Sequence, residues 1–163
     1  RLKSMDSLAK KLTRKGFPFS VDSIEQNIYD VAGVRVVCTF PEDMFTLADA
    51  LLAQDDVTLV ERRDYVANPK PSGYRSLHLI IETPIFLERE KRLVKVEVQL
   101  RTISMNFWAS LEHQLRYKKN LDEETTAAVS AELLTLSDAA KQLDDRMQAI
   151  RNYLDELTEE DRG

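Results

Sequence analysis

Apolar positions recur along this chain with two periods, and these divide it into helices and strands. Leu8 and Leu12, with basic residues between them, follow a 3.6-residue period over 5–15, and Gly16 stands where a helix closes. Residues 34–40 read as a strand. Pro41-Glu42-Asp43 then opens a helix to about residue 54, with proline and acids at the end that suits them. A strand over 57–66 leads into Ala67-Asn68-Pro69-Lys70-Pro71-Ser72-Gly73, a loop by composition. Strands over 76–83 and 93–101 flank a charged turn near 88–91. Helices over 104–119 and 124–159 complete the chain.

Alternation gives the later strands two faces. Val94, Val96, Val98 and Leu100 point one way; Lys95, Glu97, Gln99 and Arg101 point the other. In the preceding strand Leu77, Leu79 and Ile81 share a face opposite Ser76, His78 and Glu82. Paired as a hairpin, the two strands bring His78 onto the face of Glu97 and Gln99. Asp30, at the entrance of the first strand, and Glu97 are carboxylates that adjacent strands can bring together. Two carboxylates at short range repel unless a cation lies between them. A hard ion such as Mg²⁺ takes one or two carboxylates and completes its shell with water and substrate phosphates. In the proline-stiffened loop, Lys70 and Arg75 are phosphate-binding types, and Tyr74 is a platform on which a base can stack.

The last helix carries Val129, Leu133, Leu136, Ala140, Leu143, Met147, Ile150, Leu154 and Leu157 at alternating intervals of four and three, an a/d stripe over four heptads. At roughly 36 residues it is about 54 Å long, against about 30–35 Å for a domain of this size. Two destinations stay open for the stripe: the helices of its own domain, or a seam with another subunit.

With 163 residues, 43% hydrophobic and 31% charged, the chain is one ordinary globular domain with an appended helix. No apolar run spans a bilayer. One cysteine, Cys38, excludes a disulfide framework and a zinc cluster and fits a reducing cytoplasm. There is no Gly-x-Ser-x-Gly, P-loop or Rossmann glycine pattern. The net charge of -5 argues against non-specific nucleic-acid binding. Its distribution is uneven: 1–20 and 61–120 are basic, 21–60 and 121–163 acidic. Two basic blocks suit a pocket for a small polyanion. The chain starts at Arg1, not methionine, and we expect residues before it.

Four motifs in order carry a family resemblance: Asp30-Val31-Ala32-Gly33-Val34-Arg35, Lys70-Pro71-Ser72-Gly73-Tyr74-Arg75-Ser76-Leu77-His78, Val96-Glu97-Val98-Gln99-Leu100-Arg101-Thr102, and Met105-Asn106-Phe107-Trp108-Ala109-Ser110-Leu111-Glu112-His113. Together they resemble the RelA/SpoT-type synthetase domain, over residues 1 to about 120. The remaining 121–163 is then a long C-terminal helix for packing or oligomerisation, and the whole is similar to a stand-alone small alarmone synthetase. The resemblance implies an α+β, nucleotidyltransferase-like fold with a mixed sheet flanked by helices. It implies transfer of pyrophosphate from ATP to the 3′-hydroxyl of GDP or GTP, giving AMP and guanosine tetra- or pentaphosphate.

Position by position, the resemblance makes Asp30 a Mg²⁺ ligand, and Glu97 a second metal ligand and the candidate general base. Arg1, Lys3 and Ser7 fit an Arg-x-Lys-x-x-x-Ser pattern for ATP, and Arg35 an arginine stacked on adenine. Tyr74 corresponds to the residue stacked on guanine. Lys70, His78, Gln99, Arg63 and Asn106 correspond to contacts with the acceptor nucleotide. It further implies a cytoplasmic homo-oligomer, a tetramer. Two alternatives remain at this level. One is a toxin-like relative that pyrophosphorylates adenosine nucleotides or tRNA; RNA is disfavoured by charge but not excluded. The other is a non-catalytic nucleotide-sensing module, for which paired carboxylates have no evident use.

Overall fold

The computed structural model describes residues 4–20, 23–24, 27–28, 31–116 and 122–160. Their elements run α1 (Met5–Lys15), β1 (Ala32–Cys38), α2 (Pro41–Leu52), β2 (Thr58–Asp64), β3 (Leu77–Phe86), β4 (Lys91–Thr102), α3 (Ile103–Arg116) and α4 (Glu123–Glu160). Each predicted helix and strand is present, with ends shifted by a few residues. The strands form one four-stranded mixed sheet in the order β1-β4-β3-β2. By their contacts the residues group into two compact units built from separate stretches. One comprises Arg1–Val36, Leu47–Arg63 and His78–Leu100; the other comprises Val37–Thr46, Asp64–Leu77 and Arg101–Gly163.

In the first unit, α1 forms as its pattern requires. The Ser4 side chain accepts from the Ser7 amide, capping the helix. Gly16 takes φ 76°, and its N–H turns back onto the last carbonyls. The apolar stripe of α1, Leu8 and Leu12, packs with Ile28, and Ile24 and Val31 close the cluster. Residues 79–81 of β3 and Val98 and Leu100 of β4 are buried.

Strand β3 departs from simple alternation. Residues 77–81 are all buried, Ile80 and His78 included. Over 77–81 β3 lies between β4 and β2 with both faces covered, so a polar residue there, His78, is buried and not in solvent. On β4 the expected core face holds only toward the C-terminal end: Leu93 is exposed, Val94 and Val96 are half-buried, and Val98 and Leu100 are buried.

In the second unit, α3 and α4 pack together. Trp108 donates through Nε1 to the Leu133 carbonyl at 2.8 Å. Thr102 caps α3, its hydroxyl accepting from the Met105 amide at 3.1 Å. Of the nine stripe positions only Leu133 is buried, while Leu136, Leu143, Met147, Ile150, Leu154 and Leu157 are exposed. The face seated in the unit follows a neighbouring row, Leu133, Ser137, Asp144 and Gln148, and is mostly polar.

That polar row meets specific partners. The Gln148 amide accepts from the Glu42 backbone N–H at 3.2 Å and donates to the Glu42 carboxylate at 2.9 Å. Arg151 pairs with Asp43 and stands 4.8 Å from the Phe40 ring centroid. The Arg151 guanidinium beside Asp43 holds that carboxyl below its ordinary value, aided by the Phe40 amide. Cys38 is a free, buried thiol whose pKa is raised by burial and by the nearby Asp43 charge. No helix among the described residues is long and apolar enough to cross a membrane.

Candidate functional site

Two side-chain clusters contain most of the described residues singled out from the sequence. The first lies in the unit containing His78–Leu100. The Glu97 carboxylate is held between two neighbours. His78 Nδ1 lies 3.1 Å from Oε1, and Gln99 Nε2 donates to Oε2 at 2.9 Å. The Glu97 side chain is 15% exposed and His78 is buried beside it. The β-strand period produces this meeting: Glu97 and Gln99 are two residues apart on β4, and His78 occupies the same face of the neighbouring β3. Gly33 of β1 lies close by, with an added Cβ falling 3.7 Å from the Glu97 carbonyl, an ordinary contact.

The second cluster lies in the unit containing Asp64–Leu77. Gly73, at φ 90°, turns the loop, and Gly73 N–H donates to the Lys70 carbonyl at 2.8 Å. The Lys70 amide in turn bonds the Tyr74 carbonyl at 3.1 Å. This closed loop presents Tyr74 edge-on to Tyr65, with ring centroids 6.0 Å apart and planes at 68°. Lys70 Nζ stands 4.7 Å from the Tyr65 centroid and 5.0 Å from that of Tyr74. Arg101, 5% exposed, donates to the Tyr74 hydroxyl at 2.7 Å and to Asn106 Oδ1 at 3.4 Å.

The structure thus joins His78, Glu97 and Gln99 in one cluster and Lys70, Tyr74 and Asn106 in the other. Ser7, Arg35 and Arg63 stand on other elements. Ser7 belongs to the first turn of α1. Arg35 is exposed on β1. Arg63, exposed on β2, makes a two-pronged pair with Glu61 at 2.7 Å, which draws the Glu61 carboxyl below its ordinary value. Arg1, Lys3 and Asp30 lie outside the described residues.

Two contributors were not singled out as site residues from the sequence. Arg101 ends the row Lys95-Glu97-Gln99-Arg101, so the alternation that selected Glu97 also points to it. Tyr65 carries no such signal. It follows the end of β2 and reaches Tyr74 only because the Tyr65 amide pairs with the Ser76 carbonyl.

The first cluster combines a buried imidazole, an amide and a carboxylate, the composition of a proton-accepting or cation-binding centre. The second combines two tyrosines with two cations, suited to a flat ring carrying phosphates. Among the described residues no three His, Cys, Asp or Glu side chains converge into a metal-binding group.

Comparison with known proteins agrees with this chemistry. A family model described as a region found in RelA and SpoT proteins matches residues 1–122. The GTP pyrophosphokinase YwaC of Bacillus subtilis is 42% identical over 155 residues, covering 95% of this chain and 73% of that protein. The GTP pyrophosphokinase YjbM of the same species is 40% identical over 158 residues, covering 96% of this chain and 72% of its own. The crystal structure of small alarmone synthetase 1 from Bacillus subtilis bound to its product pppGpp superimposes with a TM-score of 0.82 at 39% identity, over 95% of this chain and 77% of that one.

Proposed function

We propose, since this chain belongs to the RelA/SpoT family, that it transfers pyrophosphate from ATP to the 3′-hydroxyl of GDP or GTP. It is a GTP pyrophosphokinase, making the guanosine tetra- or pentaphosphate alarmone and AMP. The observation that carries this reading is Glu97, a carboxylate fixed between His78 and Gln99 on the inner strand β4, in a chain 42% identical to a GTP pyrophosphokinase.

A sugar hydroxyl is a poor nucleophile until its proton is removed. The Glu97 carboxylate accepts that proton as the 3′-oxygen forms a bond to the β-phosphorus of ATP. The bond from that phosphorus to the α–β bridging oxygen breaks, and AMP departs. His78 and Gln99 fix the plane of the carboxylate and so aim its lone pairs. Tyr74, with Lys70 beside it, receives the guanine of the acceptor, and Arg101, itself bonded to Asn106, holds Tyr74 in place. Arg35, and Ser7 with Arg1 and Lys3, serve the ATP.

Mg²⁺ suits an all-oxygen donor set of one or two carboxylates. Glu97, together with Asp30, would hold it. When bound, it neutralises charge on the transferred pyrophosphoryl group.

The exposed stripe of α4 supports self-association. Ile103, Phe107 and Leu111 of α3 and Leu136, Leu143 and Met147 of α4 line an open apolar groove of about 670 Å³. A contiguous apolar patch of this kind is unusual on a monomer. A second copy presenting the same stripe covers it, and two such pairings build a tetramer. A reaction that consumes ATP and GDP or GTP supports a cytoplasmic setting.

The test uses ATP labelled at the γ-phosphate, Mg²⁺, and GDP, GTP, adenosine nucleotides or tRNA as acceptor. Label moves to GDP or GTP, and Glu97→Gln lowers the rate by about 10²–10⁴-fold. Label appearing only on adenosine nucleotides or tRNA, or on no acceptor, overturns the assignment.

A further inference from the structure

The two residues whose side chains form the Tyr74–Arg101 pair are each next in sequence to a residue bonded to α4. Gly73, before Tyr74, accepts through its carbonyl from the hydroxyl of Ser137. Thr102, after Arg101, donates through its hydroxyl to Asp144 Oδ2 at 2.6 Å. Ser104 donates to the same oxygen, also at 2.6 Å. Ser137 is 3% exposed and Asp144 8%. They are seven residues apart, two turns of one helix face, or about 10.5 Å along its axis.

This arrangement is specific. Buried hydroxyls and carboxylates cost free energy unless they are bonded, so their partners are fixed tightly. Gly73 packs directly on Ser137, since a Cβ added there falls 2.8 Å from the Ser137 Cβ. The Gly73 carbonyl therefore has one seat. Thr102 has two duties: it caps α3 at the Met105 amide and donates to Asp144. Through that cap it sets the first turn of α3, which carries Asn106, the second partner of Arg101.

We propose that Ser137 and Asp144 are positioning residues for the acceptor nucleotide, α4 fixing from behind the two chain segments that bring Tyr74 and Arg101 together. This inference rests on the reading of Tyr74 as the guanine platform. Neither residue touches substrate; each acts through the neighbour of a residue that does. The long helix is then part of the nucleotide-binding apparatus as well as an assembly surface. Its effect is selective, because both bonds are made by the residues next to Tyr74 and Arg101.

The experiment measures GDP affinity by equilibrium titration and, separately, KM for GDP and for ATP, in the whole chain and in three variants. Ser137→Ala removes the donor to Gly73 with little change of volume. Asp144→Ala removes the acceptor, and Asp144→Asn retains an acceptor oxygen. Thermal midpoints are read in parallel. Ser137→Ala is expected to weaken GDP binding and raise KM for GDP about tenfold, with KM for ATP and kcat at saturation within about twofold. Asp144→Asn is expected to recover most of what Asp144→Ala loses. Unchanged GDP affinity in Ser137→Ala overturns the inference, as does a parallel rise in both KM values with a lowered thermal midpoint. Should Asp144→Ala fail to fold, Ser137→Ala and Asp144→Asn decide. A wild-type chain that binds GDP but transfers nothing overturns the proposed reaction, while the binding series still reads the positioning.

Discussion

Arg101 donates to the hydroxyl of Tyr74 at 2.7 Å while its guanidinium carbon stands 5.1 Å from the centroid of the same ring. One side chain thus fixes both the tip and the body of the tyrosine. Removing only the hydroxyl, with Tyr74→Phe, frees the tip and leaves the stacking face; KM for GDP is expected to rise about three- to tenfold. Tyr74→Ala removes the face as well, and base stacking of about 1–3 kcal/mol predicts a rise between about fivefold and a hundredfold. Steady-state kinetics at saturating ATP check both, and an unchanged KM in Tyr74→Ala would remove the tyrosine from the acceptor site.

Gly73 has φ 90°, a region that side chains rarely adopt, and no room for a Cβ against Ser137. Gly73→Ala is expected to cost about 1–3 kcal/mol of stability. Urea unfolding followed through Trp108, the single tryptophan and a buried residue of the same unit, reads the loss. A variant as stable as wild type would mean that the loop relaxes without cost.

The helices and strands were legible because each element that packs on one side obeys its own period. The meeting of His78 with Glu97 and Gln99 followed from the same period applied to two adjoining strands. The inner face of α4 was not legible. Heptad reasoning assigns contact to apolar rows, yet Ser137, Asp144 and Gln148 make the contact here, and in sequence they look like a solvated face. Tyr65 and Tyr74 were separable only once the turn at Gly73 closed. Pairing over 27 residues, as between Tyr74 and Arg101, leaves no local trace.

Asp43 and Arg151 provide a test in pH. Arg151 lowers the Asp43 carboxyl from its ordinary value of 3.8. A depressed folded value stabilises the native state above the unfolded value, and that contribution disappears as pH falls through the folded one. Asp43→Asn is therefore expected to lower the thermal midpoint at pH 7, and the gap to wild type should narrow below about pH 4. Thermal melts from pH 7 to pH 3 check this. A gap independent of pH would mean that the pair contributes packing alone.

Leu143 and Met147 are about half exposed, on the apolar row of α4 that neighbours its polar row. A charge on that row opposes burial against a second copy, so Leu143→Glu combined with Met147→Glu is expected to convert an oligomer into an 18.8 kDa monomer. Sedimentation velocity at micromolar concentration reads the outcome. A wild-type chain already monomeric there would leave the stripe without a self-partner.

The polar row of α4 also acts as an index. An apolar stripe repeating every seven residues matches itself after a shift of one heptad, so grease alone leaves such a helix with several near-equal seats. Ser137, Asp144 and Gln148 remove that degeneracy, because a carbonyl, a pair of hydroxyls and a glutamate backbone N–H stand at unequal places and accept only one alignment. The helix is keyed along one row and sticky along the next. Its apolar row can therefore change composition without moving the register in which the helix is seated on its own unit.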